Sequence, residues 1–259
     1  MFRVERVTNG SLNVTIDCSR CLLSLPVEAG LAAEQALLDS ICAGERDAAV
    51  LAWQPSDRAL VMPLRYQRSA CFPAVCKSLN QQRWPIVFRL TGGEPVPQSP
   101  QVINVAMVRR CRVGESGVDF EWAYLQMGSP WCAWLQAQGV AGADLGPVSA
   151  AYCDGRFNVR IQGRKLVGTA QRWRRVRHSS DMAVLVHGAM QFDGDPSELV
   201  TVVNDFQAGI DLPRRFRAER HIALREVIPD FQPKAIGMLL ASYPAPAVNS
   251  ELSRTSVRV

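Results

Sequence analysis

The stretch "FNVRIQGRKLVGTAQRW", residues 157–173, constrains the fold more than any other part of the chain. Two runs of alternating apolar residues flank Gln162–Gly163, and a two-residue link of this kind folds back as a tight hairpin. Phe157, Val159 and Ile161 then point one way, Asn158 and Arg160 the other. Helical and extended patterns are scattered irregularly around this hairpin. Residues 28–43 ("EAGLAAEQALLDSICA") read as a helix, as do 70–82, where Phe72, Val75, Cys76 and Leu79 share a face and Cys71 and Cys76 read as small core residues. A Trp-rich helical stretch follows at 121–138, with a break expected near Gly128–Pro130. Strands are expected at 48–55, 59–66, 84–90 and 101–110, and a strand pair or one long strand at 182–193, with Pro63 marking an edge or a bulge. A further helix opens at Asp195, with Pro196 at its first position and Glu198 completing a capping box. Another covers 228–243.

No regular βαβ alternation emerges. The pattern therefore predicts an α+β fold: a mixed, largely antiparallel β-sheet flanked by helices. A chain of 259 residues suits one domain, placed at 1–243, with 244–259 as a disordered tail.

The bulk composition excludes several classes. Apolar residues make up 47% and charged residues 20%, an ordinary globular balance. No apolar run is long enough to span a membrane, and the first residues lack the apolar stretch of a secretory signal, so a cytoplasmic protein is expected. In that compartment the eight cysteines are expected to be reduced thiols. Cys18 and Cys21 have CxxC spacing but no second pair and no neighbouring histidine, so no metal is expected. The net charge of +5 favours an acidic partner without naming one. The densest basic cluster, "RWRRVRH" at 172–178, reads as a solvated loop or a dock for an acidic protein. With Trp173 as its one aromatic residue, and no groove-reading motif, it does not read as a nucleic-acid site.

Of 29 basic residues only Lys77, Lys165 and Lys234 are lysines. Lysine offers a compact ammonium with three donors that can lose its proton when buried; arginine cannot do so. Lys77 and Lys234 read as solvated. Lys165 differs, because it sits just past the hairpin turn and is followed by the small residues Gly168, Thr169 and Ala170, which permit close approach of a ligand. Two other segments carry potential chemistry. In "RLTGGE" a strand runs into Thr91-Gly92-Gly93, which is either a plain turn or a cradle of free N–H groups for an anion. His187-Gly188 lies inside an apolar strand, where a histidine is either a satisfied core residue or a catalyst.

Taken in order, these segments resemble the biotin/lipoate protein ligase catalytic-domain family, on the branch of lipoate–protein ligase A and the octanoyltransferases. The similarity covers about residues 28–210. It includes the helix "GLAAEQALLDSI", the strand "AVLAWQP", and an Arg-Arg-x-Ser/Thr-Gly-Gly-Gly element that here reads Phe88-Arg89-Leu90-Thr91-Gly92-Gly93-Glu94. It also includes Asn104, the run Gly163 to Gln171 matching Gly-x-Lys-Ile-x-Gly-Ser/Thr-Ala-Gln, and His187-Gly188. Phe88 and Glu94 depart from the pattern, and a family His-Asp is replaced around Gln98.

The resemblance implies that Lys165 holds the carbonyl oxygen of an octanoyl or lipoyl group and stabilises the charge that develops on it. It implies substrate-binding roles for Arg89, Thr91, Gly92, Gly93, Asn104, Gly168, Thr169, Ala170, His187 and Gly188. Two chemistries run in such a family. A transferase carries the acyl group as a cysteine thioester and needs no cofactor; here Cys153, in the loop before the hairpin, is the candidate nucleophile or else a loop cysteine without a role. A ligase activates free lipoate with ATP and Mg through an adenylate. The donor would be acyl carrier protein or free lipoate, and the acceptor a lipoyl domain or glycine cleavage H protein. Neither nucleic acid nor membrane is expected as a partner. A non-catalytic acyl-binding homologue is the third reading.

Overall fold

The Gln162–Gly163 link has positive φ at both residues, 49° and 77°, as a two-residue hairpin between twisted strands requires. A computed structural model describes residues 21–112, 118–213 and 215–243, together with three outlying strands, β1 (Arg3–Arg6), β2 (Leu12–Thr15) and β13 (Ser256–Arg258), that pair in the order β1-β2-β13. The hairpin strands β10 (Asn158–Ile161) and β11 (Arg164–Arg175) belong to a seven-stranded sheet with β3 (Leu22–Leu25), β4 (Ala48–Pro55), β8 (Val102–Cys111), β9 (Ala143–Gly146) and β12 (Met182–Gln191). Its order is β3-β4-β8-β12-β11-β10-β9, and every pairing except β3 with β4 is antiparallel. A smaller sheet holds β5 (Ala59–Pro63) between β6 (Ile86–Arg89) and β7 (Val96–Gln98). The mixed, largely antiparallel α+β architecture is the one the irregular order of elements predicts.

Helix α1 (Val27–Cys42) covers one face of the large sheet and α3 (Phe120–Ala137) covers the other. Helices α2 (Phe72–Gln81) and α4 (Pro196–Gly209) close over the small sheet in a third cluster with Leu60, Met62 and Phe206. A short α5 (Ile236–Ala241) packs against α3. Helix α1 starts where the Val27 N–H is accepted by Asp57 Oδ1 at 2.8 Å. Its Gly30 lies against Trp53, so that a Cβ there would fall 2.4 Å from the indole.

Several expectations are corrected. The break near Gly128–Pro130 is absent: α3 runs through it, with Met127, Trp131, Trp134 and Leu135 buried along one side. That burial outweighs the hydrogen bond lost at Pro130. Gly128 is small because its face meets Leu145, which a Cβ would approach to 2.6 Å. Pro63 ends β5, which is the central strand of its sheet and not an edge. The helix expected over 228–243 shortens to α5 behind the single turn Pro233–Ala235. Asp195 caps α4 through the Ser197 N–H, while Glu198 pairs with Arg58 instead of closing a capping box. Cys71 and Cys76 are only half-buried; Val75 and Leu79 anchor α2. "RWRRVRH" is not a loop: residues 172–175 finish β11, Arg172 donates to the Leu90 carbonyl and Arg174 pairs with Asp39. Cys21 is disulfide-bonded, against the expectation of reduced thiols throughout, whereas Cys42, Cys71, Cys76, Cys111, Cys132 and Cys153 are free. Cys18, and residues 244–255 and 259 of the tail expected over 244–259, lie outside the described residues, while Ser256–Arg258 of that tail form the paired strand β13. No helix among the described residues is long and apolar enough to cross a membrane.

Gly30→Ala tests the α1–sheet contact. Alanine gains about 1 kcal/mol in helix propensity, but overpacking against Trp53 costs about 1–3 kcal/mol. Urea denaturation should therefore show a net loss of stability.

Candidate active site

Lys165 is placed by an irregularity in the hairpin. Val159 faces Val167, but the next residue, Arg160, faces Lys165. Leu166 is the extra residue of a β-bulge. The bulge breaks the in–out alternation, so Lys165, Leu166 and Val167 are all buried. A Cβ on Gly168 would lie 2.8 Å from Lys165 Nζ, so a side chain there would displace the ammonium from its place.

The ammonium donates to the main-chain carbonyls of Tyr152 at 2.5 Å and Cys153 at 3.0 Å. It also lies 4.9 Å from the centroid of the Tyr152 ring. Two of its three N–H groups are thus engaged. Burial pushes Lys165 below the usual ammonium range, with Cys153, Glu94 and Asp154 pulling it back.

Lys165 therefore secures the loop that carries Cys153. Ala150 and Cys153 both have positive φ, 64° and 54°, a conformation that costs a non-glycine residue roughly 1–2 kcal/mol. Hydrogen bonds hold the loop there: Asp154 accepts the Val148 N–H at 2.6 Å, and Ala150 accepts the Arg217 N–H at 2.9 Å. The Cys153 N–H itself donates to Glu94 Oε2 at 2.6 Å.

The Gly-Gly loop is held by a second buried cation. Arg89 donates to the carbonyls of Val61, Gly92 and Glu94 at 2.7–3.2 Å. Gly93 has a φ of 99°, and a Cβ on it would lie 3.0 Å from both Arg89 Nη2 and Cys153 Sγ. The thiol and the Arg89 guanidinium therefore converge on a bare glycine.

These residues line connected spaces. An open cleft of about 740 Å³ is bordered by Gly92, Gly93, Cys153, Thr169, Ala170 and Arg215. Cys153, Thr169 and Ala170 also border a narrow throat that continues inward past Gly168, Gly188 and Asn104 to His187. Gly168, Ala189 and Asn104 form one rung across β11, β12 and β8, and their small side chains keep the throat open. Asn104 and Gln98 exchange two amide hydrogen bonds of 2.8 and 3.1 Å, so Gln98 fixes the orientation of the asparagine. Beyond the throat, His187 Nδ1 lies 2.7 Å from Glu34 Oε2 and its Nε2 lies 3.1 Å from Thr91 Oγ1, while Glu34 accepts the Trp53 indole N–H at 2.9 Å. The structure thus brings the sequence-predicted site residues other than Lys165 to the cleft, the throat and the polar group behind it. Lys165 differs in detail: its ammonium faces the loop carbonyls and a closed cavity of about 20 Å³, not the throat itself. Among the described residues no group of three His, Cys, Asp or Glu side chains is placed to hold a metal.

The sequence of the matched region agrees with this geometry. The signature of the lipoyl protein ligase A/B catalytic domain matches residues 26–231.

The chain belongs to that family.

It is an enzyme of this group, as its relatives are octanoyltransferases and lipoate–protein ligases. An uncharacterised protein of Cupriavidus necator is 30% identical over 205 residues, 75% of this chain and 79% of that protein. An octanoyl-GcvH:protein N-octanoyltransferase of Kyrpidia tusciae is 34% identical over 148 residues, 54% of this chain and 49% of the relative, so the match spans about half of that enzyme. Among solved structures, a lipoate-protein ligase A bound with ATP superposes with a TM-score of 0.65 at 18% identity, over 85% of this chain and 81% of that one. A structure from work on a bi-partite lipoate protein ligase and its E2 lipoyl domain of Thermoplasma acidophilum gives 0.62 at 19% identity, over 86% and 80%. At these identities the structural likeness speaks for the fold.

Sequence reasoning missed the second layer of the site. His221 forms a parallel bridge with Lys165 and stacks on the Tyr152 ring at 4.3 Å between centroids. Burial, and then the charge of Lys165, push His221 down to about 3. Glu34 and Arg215 were missed as well. Glu34 sits among alanines and leucines of a helix pattern, where a carboxylate ordinarily marks the solvent side.

His221 predicts a pH dependence. It is neutral when folded but takes a proton near pH 6.5 when unfolded. Its contribution to stability is therefore complete above about pH 6.5 and is lost as pH falls toward 3, by up to about 1.4 kcal/mol per pH unit. Urea titrations at pH 7 and pH 5 should show a smaller difference for His221→Asn than for the wild type.

Proposed function

We propose that this protein is an acyltransferase of lipoate metabolism that carries an octanoyl or lipoyl group as a thioester on Cys153 and delivers it to a lysine of a lipoyl domain or glycine cleavage H protein. The observation that carries the reading is the position of Cys153, which lines both the open cleft and the narrow throat. There it can meet a carrier outside while the acyl chain lies within. The catalytic unit is taken as residues 1–243.

In the first step the Cys153 thiolate attacks the acyl carbonyl of the donor. A carbon–sulfur bond forms, and the donor's sulfur or nitrogen leaves with a proton. In the second step the amine of the acceptor lysine attacks the thioester, an amide forms, and the thiol is regenerated. Arg89 and Lys165 hold the two loops that meet at the sulfur, and Lys165, whose ammonium faces the loop carbonyls in the free protein, would turn its third N–H toward the throat to reach the acyl carbonyl oxygen. The throat holds only about 30 Å³ in the free protein, so an acyl chain would widen it on entry between its small lining residues. Acyl carrier protein is one donor for this chemistry. The names of the curated relatives add an octanoylated H protein as another, whose amide would enter the first step in the same way. Arg175 and Arg177, exposed at the end of β11 and just beyond it, supply positive charge for steering an acidic carrier.

An ATP-dependent ligase is the alternative, and it would use ATP and Mg. It asks the cleft to receive the phosphates of a nucleotide. The Glu94 carboxylate lines that cleft, which weighs against it. The transferase reading needs no cofactor.

Incubation with octanoyl–acyl carrier protein, and separately with octanoylated H protein, should add one octanoyl group to the intact protein. Hydroxylamine should remove it, and Cys153→Ala should lack it. If neither donor leaves an adduct while ATP and lipoate yield an adenylate, the ligase reading takes its place. Lys165→Arg retains the charge but replaces a compact donor with a wide fork, and should lower the rate of transfer about 100-fold or more while the protein stays folded. Near-normal turnover by that variant would refute the role given to the lysine.

A further inference from the structure

We infer that Glu94 gates the oxyanion position at Cys153, occupying the N–H that the reacting carbonyl must use and leaving it only when an acyl group is received. This rests on the thioester reading. Its evidence is separate: a hydrogen bond to the nucleophile's own main chain, at a position where the family pattern has glycine.

When a cysteine attacks an acyl carbonyl, negative charge gathers on an oxygen close to the nucleophile's own N–H. In acyl transfer that group is a recurrent oxyanion donor. Here the Cys153 N–H is already taken by Glu94 Oε2 at 2.6 Å. A carboxylate oxygen resembles the oxyanion in charge and size, and two negative oxygens cannot share one N–H. Cys153 cannot turn this donor elsewhere, because its left-handed φ of 54° is fixed by the loop, whose carbonyls Lys165 holds. The group free to move is the Glu94 side chain.

The surroundings suit a movable carboxylate. Arg89 clamps the main chain of Glu94 through its carbonyl at 2.7 Å, whereas the side chain is held by two exchangeable contacts, the Cys153 N–H at 2.6 Å and Arg215. Its other oxygen pairs with Arg215, whose side chain is 56% exposed. Both line the open cleft, so the pair can swing outward without disturbing the core. In the free protein Lys165 also spends two donors on the loop. The site at rest thus has its oxyanion donors engaged internally, which keeps the thiol from reacting with stray esters. An alternative is that Glu94 simply braces the loop, and the two roles differ in sign.

The experiment compares two reactions of Cys153. Acylation by p-nitrophenyl octanoate forms a carbon–sulfur bond, releases p-nitrophenolate and passes through an oxyanion. Alkylation by iodoacetamide passes through none, yet responds equally to the charge and exposure of the sulfur. Both rates are measured at Cys153 by peptide mass spectrometry, with Cys153→Ala as background. The gate predicts that Glu94→Gly raises the ratio of acylation to alkylation by about 10-fold or more. Arg215→Ala, which unties the carboxylate without touching the loop, should raise it in the same direction by less. An unchanged ratio overturns the gate: if both rates rise together Glu94 acts only through its charge, and if both fall together it only braces the loop. If Cys153 alkylates in every variant but is acylated in none, the thioester reading itself fails and the gate falls with it.

Discussion

The buried ammonium of Lys165 is the interaction on which the rest of the site depends. An unpaired charge in an apolar interior is costly, and among the described residues no carboxylate forms an ion pair with it. Two loop carbonyls and a tyrosine ring do the compensating instead. That choice has consequences along the chain. The loop must bring two successive carbonyls to one point, which leaves Cys153 in a left-handed conformation. The strand must bulge to turn the lysine inward, and Gly168 must lack a side chain. Tyr152 must be held in place, and His221 stacks on it while remaining neutral beside the ammonium.

Arg89 repeats the same solution on the other side of Cys153. It too is buried, and its hydrogen bonds go to carbonyls and not to an acid. The two cations fix the two loops that meet at Gly93 and Cys153 Sγ. Carbonyl oxygens carry only partial charge, so the site keeps an excess of positive potential. Such a place suits a developing oxyanion. Glu94 is the carboxylate that enters it, which is why its position bears on both specificity and timing.

How much of this was legible in the sequence follows from how local each signal is. The hairpin was readable because Gln162–Gly163 and the alternating runs lie within seventeen residues. The unusual lysine was readable against an arginine-rich background, and Lys77 and Lys234 are indeed exposed. The bulge was not readable, since it depends on the register between two strands and leaves no residue of special type. His221 was invisible because it reaches Lys165 from 56 positions away, through a bridge that local pattern cannot express. The continuity of α3 was misjudged because Gly128 and Pro130 are local breakers, whereas the burial of Trp131 and Trp134 that overrides them is tertiary. The resemblance to the family located Glu94 as a departure, but only the fold shows the side chain turned inward onto Cys153.

Proton traffic at the sulfur can be assigned by elimination among the three described histidines. His178 is exposed at the end of the turn after β11, outside the cavities. Both nitrogens of His187 are occupied, one by Glu34 and the other by Thr91, and the Trp53 indole fixes the far oxygen of that glutamate. A ring bound at both ends serves as a wall for the inner end of the throat and has no free position for a substrate proton. His221 has an unpartnered Nε2, but burial and the neighbouring ammonium hold it neutral, and its ring packs behind Tyr152. On the transferase reading this leaves Lys165. Burial lowers its affinity for the proton, while Cys153 in its charged form raises it. The lysine that would supply the proton is therefore the one that already holds the nucleophile's loop through the Tyr152 and Cys153 carbonyls.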